Sequence, residues 1–230
     1  MSSLFNTPLT SPRAVIFDWD NTLVDSWGCI QAAMNATLIR MGHAEWSMEE
    51  TKQRVALSLR DSFPVLFGDR WEEARDVFYA SFEAIHIEHL RPLPRADEML
   101  RELAGRGIAL AVVSNKNGRY LRQEAAHLGW DKLFSRLVGA TDASADKPSH
   151  EPVHLALEQT GIAPGGHVWF IGDADVDMHC AHNAGCTPIL MRTDAMRPGE
   201  FDSHPPHRHL PGCEALLRLV NEVCVPITPI

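Results

Sequence analysis

Three short segments carry side chains that can do chemistry together: Asp18-Trp19-Asp20-Asn21-Thr22, Ser114-Asn115-Lys116, and Gly172-Asp173-Ala174-Asp175-Val176-Asp177. Each follows a short apolar run. If those runs are neighbouring strands, their ends converge on one pocket with at least three carboxylates. Carboxylates packed together repel one another. A divalent cation offsets that repulsion, and clustered hard oxygen donors suit Mg²⁺. Asp18 and Asp20, spaced i, i+2 at a fraying strand end, face one opening from different surroundings. One can serve as an ionised nucleophile toward a phosphoryl group, and the other as general acid and then general base. Asn21 and Thr22 are turn formers, and the Thr22 hydroxyl can fix a neighbouring carboxylate. Lysine is scarce: Lys52, Lys116, Lys132 and Lys147 stand against seventeen arginines. Two of the four fall at candidate site positions. The Lys147 ammonium is a compact charge able to hold a nucleophilic Asp and a phosphoryl oxygen together.

The elements that must position these residues follow from hydrophobic patterning. RAVIFDW (13–19) reads as a buried strand opening into acidic residues. From Ser26 to about Leu90 the apolar spacing is helical throughout, with breaks expected at Gly42 and Pro64. Arg91-Pro92-Leu93-Pro94 punctuates the chain, and strand and helix then alternate. Strands are expected at 108–114, 136–140, 168–173 and 187–191. Helices are expected at 96–107, 118–129, 150–161, 177–185 and from Cys213 to Cys224. Strands separated by single helices predict a parallel, Rossmann-like α/β sheet covered on both faces, with its site at the carboxyl ends of the strands.

Composition narrows the function classes. The formal charge of −9 over 230 residues argues against a general binder of nucleic-acid backbone. No apolar run is long enough to span a bilayer, and the opening MSSLFNTPLTSPR lacks the basic and apolar regions of a secretory signal. Cys29, Cys180, Cys186, Cys213 and Cys224 are odd in number and scattered, so free thiols in a reducing cytoplasm are expected. Ser203–His209, SHPPHRH, carries three histidines in seven residues. Histidine clusters can bind transition metals, but two prolines interrupt this one, and it reads as a surface loop.

Taken in order, FDWDNTLVDS, VVSNK, Lys147-Pro148 and IGDADVDMHCAHNAG resemble the four motifs of the haloacid dehalogenase-like superfamily, in particular its phosphatases of the phosphoglycolate phosphatase type. The resemblance spans residues 13 to about 191. It implies an α/β core over 1–24 and 92–230, and a helical cap over 25–91. It further implies that Asp18 is the nucleophile forming a phosphoaspartyl intermediate, and that Asp20 protonates the leaving group and then activates water. Ser114 and Asn115 would contact the phosphoryl group, and Lys147 would neutralise charge on it and on Asp18. Mg²⁺ would be held by Asp18, the Asp20 carbonyl and Asp173, with Asp177 in support. Lys116 resembles the third residue of the SNK or TNK triplet of phosphoglycolate phosphatases and is expected to contact the rest of the substrate. Arg60, His43 and Arg54 are cap candidates for a second anionic group. An intact Asp20 favours phosphomonoester hydrolysis or phosphomutation. The implied enzyme acts on a small phosphorylated metabolite such as phosphoglycolate, a sugar phosphate or a nucleotide. A phosphomutase of the β-phosphoglucomutase type is the alternative, and a phosphate- or metal-binding protein without turnover belongs to a third class.

Overall fold

Ala14–Phe17 form β1, an all-apolar strand buried at every position. A run without polar alternation fits a strand covered on both faces. In the computed structural model, which describes residues 8–55 and 58–224, β1 lies between β4 (Ala109–Asn117) and β6 (Val168–Gly172) and is parallel to both. With β5 (Arg136–Ala140), β7 (Thr187–Met191) and β8 (Arg208–Leu210) the sheet runs β5-β4-β1-β6-β7-β8, parallel throughout. The three segments with chemical potential therefore leave adjacent central strands at the same edge.

Alternate residues of β1 feed two cores. Val15 and Phe17 pack with α5 (Ala96–Gly105), α6 (Gly118–His127) and α9 (Cys213–Val223) through Leu100, Leu121 and Leu216. Ala14 and Ile16 pack on the opposite face with α7 (Glu151–Leu157) and α8 (Asp175–Asn183) through Val153 and Ala181. Residues between Asp25 and Arg91 form α1 (Trp27–Met41), α2 (Met48–Arg54), α3 (Leu59–Phe67) and α4 (Trp71–Ile85) around a third core that includes Met34, Phe63 and Phe78. Tyr120 of α6 reaches into that core. The chain enters and leaves these helices through a two-residue antiparallel ribbon, β2 (Val24–Asp25) with β3 (Arg91–Pro92).

Several expected boundaries move. Gly42 ends α1 with φ 81°, as its place in the pattern predicts. Pro64 does not break the chain: it sits inside α3 on an exposed position, and the helix ends at Gly68 instead. Water can reach the carbonyl that the proline leaves unpaired there. Strand β4 continues past Ser114 to Asn117 because a register shift after Val113 restores pairing with β5 at Ala140. Helix α7 stops at Leu157 and α8 begins at Asp175. The expected loop at 203–209 contains the start of β8, an edge strand in register with β7. The opening segment lies outside the described residues up to position 7.

Gly139 is where β5 meets α6. A β-carbon there would lie 2.3 Å from the Gly118 α-carbon, a backbone atom that cannot rotate away. Gly139→Ala is expected to destabilise the protein by about 1–3 kcal/mol. An unfolding midpoint equal to that of the wild type would contradict this close approach.

All five cysteines are free, and four are buried. Burial pushes the Cys29 and Cys180 thiols up to about 12 and those of Cys186 and Cys213 up to about 11, so none of these four is a nucleophile at neutral pH. Among the described residues no helix is long and apolar enough to cross a membrane.

Candidate active site

The Asp18 amide makes the last bond of the β1–β6 ladder, donating to the Ile171 carbonyl at 2.8 Å. Beyond it the chain folds back on itself. The Trp19 carbonyl accepts the Leu23 and Val24 amides, and Asn21, at φ 61°, donates to the Val24 carbonyl at 2.6 Å. Asparagine tolerates this left-handed conformation better than most side chains. The fold-back sets the side chains of Asp18 and Asp20 in different surroundings at one opening.

Asp18, Asp173 and Asp177 bring carboxylate oxygens within 4.8 Å of one another. Asp173 leaves β6 directly. Asp177 comes from the first turn of α8, where its Oδ2 accepts the Ala174 amide at 3.1 Å. Gly172 permits this approach, since a β-carbon on it would lie 2.3 Å from the Asp177 side chain. The Lys147 ammonium, 2 % exposed, donates to Asp18 Oδ1 at 2.6 Å and to Asp177 Oδ1 at 2.7 Å. Burial works against that ammonium, but Asp177 and Asp18 outweigh it and hold its pKa above the ordinary value. Burial pushes the Asp18 carboxyl up to about 6; Lys147 pulls against this, and Asp177 and Asp20 reinforce it. Asp173 is raised well above the ordinary carboxylate range, first by burial and then by Asp177 and Asp18. One ammonium among three carboxylates, two buried and one half-buried, leaves uncompensated negative charge on hard oxygen donors, a set that fits a divalent cation.

Asp20 belongs to a second network. Its Oδ1 accepts from Lys116 Nζ at 2.7 Å and from the Ser26 hydroxyl. Lys116 also lies 3.1 Å from Glu124 Oε1 and 4.7 Å from the centre of the Phe82 ring. Burial opposes the Lys116 charge, while Asp20 and Glu124 raise its pKa overall. Glu124, 1 % exposed, also receives the Trp19 indole N–H at 2.7 Å and meets His86 Nδ1 at 2.8 Å. A single buried carboxylate thus ties the β1 turn, the β4 end and the exit of the helical insert together. Glu124 escaped the sequence reading, although the signal was present: it occupies the apolar stripe of α6 with Tyr120, Leu121 and Ala125.

The remaining candidates fall in different places. Ser114 is buried, and its Oγ accepts the Lys116 amide at 3.3 Å. Asn115 engages the backbone of Lys147 with both amide atoms, at 3.0 and 3.2 Å, and so positions that lysine. Arg60 does not line the cleft; its Nε lies 2.7 Å from Asp146 Oδ2, joining the insert to the loop that carries Lys147. His43 packs edge-on against Phe67. Arg54 lies over the Trp46 ring and Lys52 over the Trp27 ring, both at the cleft wall. Arg192 was not anticipated: it donates to the Asp173 carbonyl at 2.9 Å and pairs with Glu200 at 2.7 Å, which fixes the strand end bearing Asp173. His204 stacks on His179 with ring centres 3.7 Å apart, and His209 meets the Arg192 carbonyl at 2.9 Å. Among the described residues, the Asp18, Asp173 and Asp177 group is the one convergent set of metal-ligand atoms, and these histidines are not in it.

A family model of haloacid dehalogenase-like hydrolases matches residues 15–191. A phosphoglycolate phosphatase of Neisseria meningitidis is 30% identical over 213 residues, covering 84% of this chain and 90% of its own. A phosphoglycolate phosphatase of Aquifex aeolicus is 29% identical over 179 residues, covering 77% and 84%. A solved haloacid dehalogenase-like family hydrolase from Streptococcus pneumoniae superposes with a TM-score of 0.80 over 91% of this chain and 98% of that one, at 22% identity. The matched span begins on β1 and ends on β7, enclosing every strand end that supplies the acidic centre, and the chain belongs to the haloacid dehalogenase-like hydrolase family.

Proposed function

We propose that this hydrolase is a Mg²⁺-dependent phosphatase that cleaves a phosphomonoester through a phosphoaspartyl intermediate on Asp18. The observation that carries the reading is the separation of two carboxylates on one turn: Asp18 faces Lys147, and Asp20 faces Lys116. The phosphoglycolate phosphatases among its relatives support it. Residues 25–91 would act as a cap over a core formed by 1–24 and 92–230. Buried free thiols suit a reducing compartment such as the cytoplasm.

Asp18, Asp173 and Asp177, with the Asp20 carbonyl, would hold Mg²⁺, which when bound supplies positive charge to the phosphoryl oxygens and the nucleophile. The Asp18 carboxylate attacks phosphorus as the bond from phosphorus to the ester oxygen breaks, and Asp20 gives its proton to the departing oxygen. Asp20 then takes a proton from the water that attacks the acyl phosphate, which frees phosphate and restores Asp18. Lys147 keeps Asp18 aligned and shares the charge of the transferring group. Ser114 stands at the adjoining strand end, where its hydroxyl can donate to a phosphoryl oxygen. Phosphoryl transfer asks mainly for such positioning and charge stabilisation.

The test is phosphate release from a panel of monoesters with and without Mg²⁺. Metal-dependent release that disappears in Asp18→Asn supports the reading; no release from any member overturns it. In this scheme Glu124 acts at one remove by fixing Lys116 against Asp20. Glu124→Gln is expected to lower kcat by up to about a hundredfold with little change in KM, because misplacement of an acid costs rate more than binding. A proportional loss of folded protein, with kcat per folded molecule unchanged, would show Glu124 to be structural only.

A further inference from the structure

The acidic centre opens into a cavity of about 1260 Å³ between the core and the helical insert. Pockets that enclose drug-sized molecules span roughly 300–1,000 Å³, so this space far exceeds what a two-carbon ester fills. Part of its wall on the insert is apolar. The Phe82 ring stands 4.7 Å from the Lys116 ammonium that contacts Asp20, and behind it the wall is Ile30, Met34, Trp46, Phe63 and Phe78. The group departing from phosphorus toward Asp20 is thus directed at an aromatic and aliphatic surface.

The charges around the cavity point the same way. Ten acidic residues line it against six basic ones. Of the basic residues, Lys147 and Lys116 are held by Asp18, Asp177, Asp20 and Glu124. Arg192 and Arg197 are held by Glu200. Arg54 pairs with Glu50, and Lys52 lies over the Trp27 ring. Arg60, the cap cation best suited by sequence to a second anionic group, is paired with Asp146 outside the lining. Of the six lining cations only Lys52 lacks a carboxylate partner among the described residues, so a substrate bearing a carboxylate or second phosphate beyond the reacting group meets one unpaired ammonium, beside Trp27, in a lining that carries ten carboxylates.

We propose that the leaving group is an uncharged alcohol with an aliphatic or aromatic body, and that the cavity wall of the insert is its binding site. This rests on the phosphatase reading above. An apolar body gains affinity there in proportion to the area it buries, whereas a carboxylate placed on the same wall loses its hydration without a partner.

The test is a series of monoalkyl phosphates, ethyl, butyl and hexyl, with 2-phenylethyl phosphate and phosphoglycolate, assayed with Mg²⁺. The simple alkyl alcohols have similar leaving-group acidity, so differences in kcat/KM along the series report binding of the body. The expected result is a rise of about two- to fourfold per methylene, with hexyl and 2-phenylethyl phosphate above phosphoglycolate. Leu59→Ala, at the half-buried cavity wall, is expected to flatten the rise. Ile30→Ala is a second wall variant should the first fold poorly. A flat series, or phosphoglycolate above every alkyl ester, overturns the proposal while leaving the phosphatase reading intact. Failure to release phosphate even from p-nitrophenyl phosphate would instead overturn that reading.

Discussion

Asp18→Asn is expected to lower turnover on the order of 10⁴-fold or more, as loss of a nucleophile from an interdependent site does, while making the metal-free protein more stable at neutral pH. The second effect follows from the charge count. Asp18, Asp173 and Asp177 share one lysine, and Asp18 titrates near 6 in the folded chain against an ordinary 3.8. A carboxyl whose folded pKa is raised destabilises the fold when ionised: the cost is complete above about pH 6 and fades toward pH 3.8. Asparagine removes that cost. In EDTA the variant should therefore be more stable than the wild type at pH 8, by up to about 3 kcal/mol, and the gap should narrow at pH 5. Mg²⁺ should reverse the order at pH 8 by stabilising the wild type more. A gap that stays constant with pH would mean that the buried cluster does not carry this charge.

Asp20→Asn should separate the two half-reactions. With an alkyl phosphate both depend on Asp20, first as acid and then as base, and a loss of about 10²- to 10⁴-fold is expected. With p-nitrophenyl phosphate the departing phenolate needs little help from an acid. Rapid mixing should then show a burst of about one equivalent of p-nitrophenolate per enzyme, followed by a near stop as the phosphorylated Asp18 waits for its general base. Equal slowing of both substrates with no burst would remove Asp20 from the chemistry and leave it a structural partner of Lys116 and Ser26.

The parallel sheet was legible because its strands are continuous apolar runs, and only burial on both faces explains AVIF and VWFIG. The acidic centre was legible because Asp18 and Asp173 sit where those runs stop and Asp177 follows in the first turn of the next helix. What sequence did not reveal are partnerships between distant segments. Glu124 and Trp19 are 105 residues apart, and Arg60 of the insert meets Asp146 of the loop that carries Lys147. An arginine destined for a ligand and one destined for a buried aspartate look alike in one dimension. Lys116 shows the same limit: its place after Ser114 marked it for the site, but the partner that orients it arrives from the buried face of a helix. Strand β8 was missed because three residues with histidine and arginine lack an apolar run, and their pairing depends on β7.

Trp27 and Trp46 stand at the cleft wall, each with a cation over its ring, whereas Trp19, Trp130 and Trp169 are sealed in the core. An indole's emission follows the polarity and charge around it. The chain therefore carries its own optical readout: whatever enters the cleft changes the surroundings of two of the six indoles, and leaves the three sealed ones and Trp71, which stands off the cleft, as an internal reference. Filling of the cleft can be timed in the unlabelled wild-type protein, apart from the bond-breaking that follows.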